Sequence, residues 1–330
     1  MRPRVPTARE LAGYFLTAQH PLTRLWVDDG VRMELLTAQR FDDVALATDL
    51  ELAASRTLRF APGQPAETLL NRWVGAGEDL FAMASMRYEG GDPTRPFVDA
   101  TVTSRPFRAD DLPALARACA QPFAPLRPRY LRLWSAEPVD YFPGTARDRR
   151  SVAAPVRDLR VGTGQVVPDE LALAPASSLA YYDEARVAYD DVDSEHHAHA
   201  HQAVLSDRDD LEEYFAAGTL FDVTVGGEWA GYVAVSTEGE TLGMPAYVVK
   251  ELVLATRFRG RGYGAHLATL LARAVPDETR VLIGRIHADN RGARQAAARA
   301  GRVDVGGWLQ VPYLFHDHEG RSAYTPQEPS

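Results

Sequence analysis

The sequence predicts an α/β protein: a mixed β-sheet flanked by helices in the C-terminal half, with a second α/β lobe before it. Three observations carry that expectation. From residue 177 onward, helical periodicity alternates with short β-rich runs. At 247–275, a strand runs into a glycine-arginine turn and then an amphipathic helix. Between the halves, "EPVDYFPGTARDRRSVAAPVRDLRVGTGQVVPDE" (137–170) is rich in Pro, Gly and charge, as a connection between domains is.

With 330 residues the chain is long enough for two domains, taken as 1–150 and 151–330, and 45% hydrophobic content lets each bury a core. Lys+Arg is 36 and Asp+Glu is 45, a net charge of −9. That balance argues against general nucleic-acid binding, which needs a basic surface, and suits a cationic or amine substrate better. The N-terminal stretch "MRPRVPTARELAGYF" lacks a signal-peptide core, and no run reaches membrane-spanning length, so a cytoplasmic protein with no membrane partner is expected. The reading leaves room for a homodimer. Cys119 is the only cysteine, which excludes an intramolecular disulfide, and its apolar spacing in "LPALARACAQPF" predicts a buried, inert thiol.

In the first half, "FVDATVTSRPFRADDLPALARAC" (97–119) reads as strand, turn and helix, and "PRYLRLWSAEP" (128–138) as a further strand. In the second half, 177–191 is helical in character. Residues 206–218 form a helix opened by Ser206 as cap and closed at Gly218. Two β-rich runs in 221–235 flank Gly226-Gly227, a tight hairpin turn. "YVVKELVL" (247–254) is a strand. The helix after the turn carries Leu267, Leu270, Leu271 and Ala274 on one face, and Pro276 ends it. Residues 280–287 form another strand. Asn290 caps a short helix with Ala293, Ala296, Ala297 and Ala300 on its apolar face, stopped by Gly301. Residues 305–315 supply one more strand.

The turn "RFRGRGYG" (257–264) holds three arginines and three glycines. Helix N-terminal N–H groups lack intrahelical partners and the dipole favours negative charge there. Glycines let the backbone approach an anion, so a phosphate-bearing ligand explains the segment. It is not a Walker loop, because no Gly-Lys-Ser/Thr follows, and the spacing Gly260-x-Gly262-x-Gly264 is not G-x-G-x-x-G.

Arg259-x-x-Gly262-x-Gly264 resembles the acyl-CoA pyrophosphate loop of the GNAT superfamily of N-acetyltransferases, with the pattern Gln/Arg-x-x-Gly-x-Gly/Ala. "ELVLATRFRGRGYG" is similar to that family's strand and loop, with Thr256 in place of the frequent proline, and "IHADNRGARQAAARAG" to its next strand and helix. The resemblance covers about 177–315. It implies acetyl-CoA as acyl donor, held by Arg259, Gly260, Arg261, Gly262, Tyr263, Gly264 and Asn290, with the pantetheine arm along Leu252, Val253 and Leu254 where two parallel strands splay. It implies direct acetyl transfer to an amine, a small molecule or a peptide N-terminus.

Such transfer needs a base near neutral pKa. Glu251 is either that base or a strand residue meeting solvent or an arginine. The family's frequent proton-donating tyrosine falls on Ala297 here, so Tyr313 or water takes its place. This departure keeps open a second function class, an acyl-CoA-binding or sensing protein without activity. His197, His199 and His201 in "SEHHAHAHQ" have helical spacing but no HExxH pattern, so no metal is expected, and Asp190, Asp191, Asp193 and Glu195 read as acceptor-site lining or as a solvated acidic run. The first half reads as a degenerate copy of the same fold, its loop "RPFRADDL" lacking glycines and carrying Asp110 and Asp111 against a pyrophosphate, or as an unrelated α/β domain. A tandem layout of that kind resembles acetyltransferases of the mycothiol synthase type.

Overall fold

The computed structural model describes residues 4–162, 164, 166–195 and 205–313. The chain divides into two compact units, 1–149 with 306–330, and 150–305.

The first unit opens with helices α1 (Ala8–Thr17), α2 (Thr23–Trp26), α3 (Asp29–Thr48) and α4 (Leu50–Phe60). Thr7 and Glu10 cap α1 reciprocally, Thr7 Oγ1 accepting from the Glu10 N–H and Glu10 accepting from the Thr7 N–H. Strands β1 (Arg72–Gly75), β2 (Phe81–Tyr88) and β3 (Pro96–Ala100) form an antiparallel meander. Helix α5 (Leu112–Ala120) crosses over to β4 (Tyr130–Ser135), which runs parallel to β3. Leu115, Cys119, Phe123, Leu131 and Leu133 close the core. Burial pushes the Cys119 thiol up to about 12, which leaves it unreactive.

The second unit takes β5 (Ala146–Pro155) from Arg150 onward, then α6 (Val156–Val161), β6 (Leu171–Pro175), α7 (Tyr182–Glu195) and α8 (Arg208–Ala216). Strands β7 (Leu220–Val225), β8 (Glu228–Ser236) and β9 (Ala246–Leu254) continue antiparallel from β6. Helix α9 (Gly264–Ala274) crosses over to β10 (Val281–His287), parallel to β9, and α10 (Arg291–Arg299) follows. The sheet order of this unit is β5-β10-β9-β8-β7-β6. Both units thus use one connectivity: an antiparallel meander, a crossover helix and a parallel strand.

The final strand, β11 (Val303–Pro312), departs from the expected boundary. From Gly306 it belongs to the first unit, where it pairs antiparallel with β4 from Gly307↔Ser135 to Pro312↔Tyr130. Residues from Gly306 onward therefore group with the first unit. Their alternation fits any half-buried sheet, and pairing partner is not encoded in it.

Other differences are local. Helix α7 begins at Tyr182, and α8 is capped by Asp207, which accepts from the Asp210 N–H, in place of Ser206. The Gly226-Gly227 turn has φ of 60° and 82°, a primed hairpin turn that only glycine enters without strain. No helix among the described residues is long and apolar enough to cross a membrane.

Strand β9 departs from regular pairing in two ways. On its β10 side the pairs Val281↔Ala246, Leu282↔Tyr247 and Ile283↔Val248 are the last. On its β8 side the register shifts: Ala234 faces Glu251 while Val235 faces Val249, so Lys250 is an extra residue. A bulge of this kind bends a strand and raises its twist. It turns β9 away from β10 and opens a wedge between Val249–Leu254 and Gly284–His287. At the far end of this stretch β8 presses close, and a Cβ on Gly231 would overlap the Val253 carbonyl oxygen. Gly231→Ala should therefore lower the unfolding free energy by about 3 kcal/mol, the upper end of overpacking costs. Urea titration tests it; a change below about 0.5 kcal/mol, the scale of a neutral surface substitution, contradicts it.

Candidate active site

The glycine-arginine loop joins the C-terminal end of β9 to α9. Gly260 and Gly262 have φ of 71° and 89°, and a Cβ at either would meet open space. Among the described residues no backbone acceptor takes the N–H of Gly260, Arg261, Gly262, Tyr263 or Gly264. The wedge between β9 and β10 leads to the same loop, so an edge of unpaired strand and a nest of unpaired N–H groups lie on one path.

The three arginines have separate duties. Arg257 pairs with Glu228 at 2.6 Å and donates to the Trp229 carbonyl. Arg259, expected to hold the cofactor, turns inward: Nε donates to the Leu254 carbonyl at 2.7 Å and Nη2 to the Ala188 carbonyl. Its backbone N–H is taken by Thr256 O. Arg259 therefore fastens the loop to β9 and α7. Arg261 is exposed and pairs with no carboxylate among the described residues, which leaves its charge for a ligand. Tyr263 points into the core and donates to Glu170 at 3.1 Å. Thr256 holds the loop from its other end by donating to Asp191 on α7.

Asn290 caps α10, its Oδ1 accepting from the Ala293 N–H at 3.0 Å, so that oxygen is committed to the helix. Leu252 is 37% exposed while Val253 is buried, so the strand presents alternate side chains beside the wedge.

Glu251 is 2% exposed. Its Oε1 accepts from the Ser206 N–H at 2.9 Å and the Ser206 hydroxyl at 2.6 Å, and its Oε2 accepts from the Tyr189 phenol. Burial raises its pKa, opposed by the hydrogen bonds from Ser206 and Tyr189. Burial, together with the neighbouring carboxylate, holds the Tyr189 phenol well above its ordinary value. The expectation of a solvent-facing strand residue is set aside: the carboxyl is enclosed and ties α7 and the segment before α8 to β9. Tyr189 and Ser206 were missed in the sequence because they stand 62 and 45 positions away, beyond any local pattern.

Tyr313, expected as a proton donor, belongs to the first unit: it packs against that unit's core, its N–H donating to the Arg129 carbonyl, and burial raises its pKa. Ala297 is buried on α10 and offers no phenol. Among the described residues no cluster of His, Cys, Asp and Glu is arranged for a metal ion, and His197, His199 and His201 lie outside them.

Residues 180–301 match the model of the acetyltransferase (GNAT) family. Among solved structures the chain is similar to a GCN5-related N-acetyltransferase from Kribbella flavida (14% identity, 83% of this chain and 99% of that one, TM-score 0.40). It is also similar to a GCN5-related N-acetyltransferase from Sphaerobacter thermophilus (15% identity, 82% and 92%, TM-score 0.40). A tandem GNAT protein from the clavulanic acid biosynthesis pathway is similar at 16% identity, over 86% and 94%, with a TM-score of 0.35. No curated protein matches the chain. The second unit carries a GNAT-type acetyltransferase domain over the residues matched.

Because the folded pKa of Glu251 is raised, its stabilising contribution is full below the ordinary carboxylate range and is lost as pH rises through the raised value. Glu251→Gln keeps an acceptor for Ser206 and a donor for Tyr189, so its stability relative to the parent should rise as the pH is raised above the ordinary carboxylate range, about pH 4. Glu251→Ala orphans three donors and should cost at least about 2 kcal/mol, at 1–3 kcal/mol for each buried group. Urea midpoints across pH check both; a Gln variant whose relative stability falls with pH contradicts the account.

Proposed function

We propose that the second unit is an acetyl-CoA-dependent N-acyltransferase acting on a small-molecule or peptide amine. One observation carries the reading: five consecutive unpaired N–H groups at 260–264 stand at the mouth of a wedge whose strand edge is also unpaired. The fit is chemical. A pyrophosphate takes N–H donors and the charge of Arg261, and a pantetheine arm carries amides that pair with an open strand edge. Gly260 and Gly262 leave open space where any larger residue would stand.

When bound, the thioester supplies an activated acyl group. The chain's own residues bring the amine and move its proton. Ser206 is half-buried and donates to the enclosed Glu251 carboxylate. The Ser206 hydroxyl takes a proton from the substrate ammonium as it passes its own to Glu251 Oε1, and the free amine then attacks the thioester carbonyl. Glu251 is suited to this because burial moves its pKa toward the working pH. Tyr189 holds the carboxyl in place from the other oxygen. The leaving thiolate takes its proton from solvent. The enclosure of Glu251 and the alanine at 297 favour one second reading, an acyl-CoA-binding protein without turnover.

Acetyl-CoA at about a hundred times its dissociation constant should stabilise the binding unit by roughly 2.7 kcal/mol in thermal unfolding, NAD and ATP should not, and Gly262→Glu should abolish the effect. No stabilisation by acetyl-CoA overturns both readings. Glu251→Gln should lower turnover at least about 100-fold, the low end for general acid–base residues, with acetyl-CoA affinity unchanged. Full activity in that variant removes Glu251 from the proton path.

A further inference from the structure

Arg302 is a buried cation without a counter-charge. It follows α10 and is 6% exposed, and among the described residues its guanidinium makes one hydrogen bond, Nη2 to the Val152 carbonyl at 2.9 Å. Its Nε has no partner among the described residues. The carboxylate two positions on, Asp304, is taken by Arg150 at 2.9 Å and by Arg294 at 3.6 Å. Burial alone shifts Arg302, down to about 10, and no charged neighbour contributes. A guanidinium stays protonated under all ordinary conditions, so this site holds an unpaired positive charge out of water. Protein interiors seldom retain such a group unless an anion completes it.

Its place gives that anion a direction. The guanidinium lies over Gly284, where a Cβ would overlap it and stand 3.3 Å from the Val249 Cβ. Gly284 and Val249 are the first residues beyond the last β9–β10 pair, Ile283↔Val248. Arg302 thus stands at the closed end of the wedge, and the absent side chain at 284 is what admits it. On the reading of the wedge as the acyl-CoA slot, the loop at 259–264 marks the pyrophosphate end and the closed end receives the acyl group.

We infer that Arg302 selects an acyl group ending in a carboxylate, so that the preferred donor is the CoA thioester of a dicarboxylic acid such as succinate. A planar fork donates two parallel hydrogen bonds to a carboxylate, and a methyl group in its place leaves the charge unpaired. This inference rests on the acyl-CoA reading above.

Calorimetric titration of the full chain with CoA, acetyl-CoA and succinyl-CoA tests it, in the parent and in Arg302→Met. The parent should bind succinyl-CoA at least tenfold more tightly than acetyl-CoA. Arg302→Met should erase that preference, keep CoA affinity within twofold, and unfold at the parent's temperature or higher without ligand, since it removes an uncompensated charge. Equal affinities in the parent overturn the inference even if the variant does not fold, and so does a preference that survives in a folded Arg302→Met. If all three bind without preference, the acyl-CoA reading stands and the inference alone falls. If none of the three binds, both fall.

Discussion

The extra residue at Lys250 is the constraint from which the second unit's chemistry follows. Parallel strands pair continuously unless something bends one of them, and a bulge does so at the cost of a few ladder bonds. Here the parallel ladder stops at Val248 and Ile283, just before the bulge. Beyond that point β9 keeps a strand ladder with β8 alone, which approaches closely enough that residue 231 must be glycine. The freed edge, the glycine loop at its end and the guanidinium at its closed end are successive consequences of one local irregularity.

A second theme is the division of labour between side chains and backbone. Arg259, Asn290 and Tyr263 occupy motif positions, and each spends its polar atoms on architecture: a carbonyl pair, a helix cap, the Glu170 carboxylate. What they hold in place is a run of N–H groups that no backbone acceptor takes among the described residues. Anion binding by backbone tolerates a varied sequence as long as the glycines permit the turn, which is why the motif is short and glycine-centred. The enclosed Glu251 follows the same logic, fixing α7 and the segment before α8 while its proton affinity is raised by the burial that this fixing requires.

Much of this was legible in the residues. The Gly-Gly hairpin, the strand at 247–254, the helix after the arginine-glycine turn and the Asn290 cap all follow from local chemistry, and the structure has them. The first unit's strand-turn-helix-strand was readable for the same reason. Long-range choices were not. Nothing in the alternation of 303–312 says that its later residues pair with β4, or that Tyr313 belongs to the first unit. The partners of Glu251, the inward turn of Arg259 and the burial of Arg302 depend on elements far apart in sequence, and an arginine reads as exposed until its surroundings are known.

The central claim is that the wedge and the loop form one binding path. Amide hydrogen exchange, followed by mass spectrometry with and without CoA, tests it most directly. The account predicts slower exchange in two segments together, Val249–Leu254 and Gly260–Gly264, because a ligand would cover the β9 edge that β10 leaves unpaired and the loop N–H groups that no backbone acceptor takes among the described residues. Unchanged exchange in both, or protection confined to segments elsewhere in the chain, would contradict it.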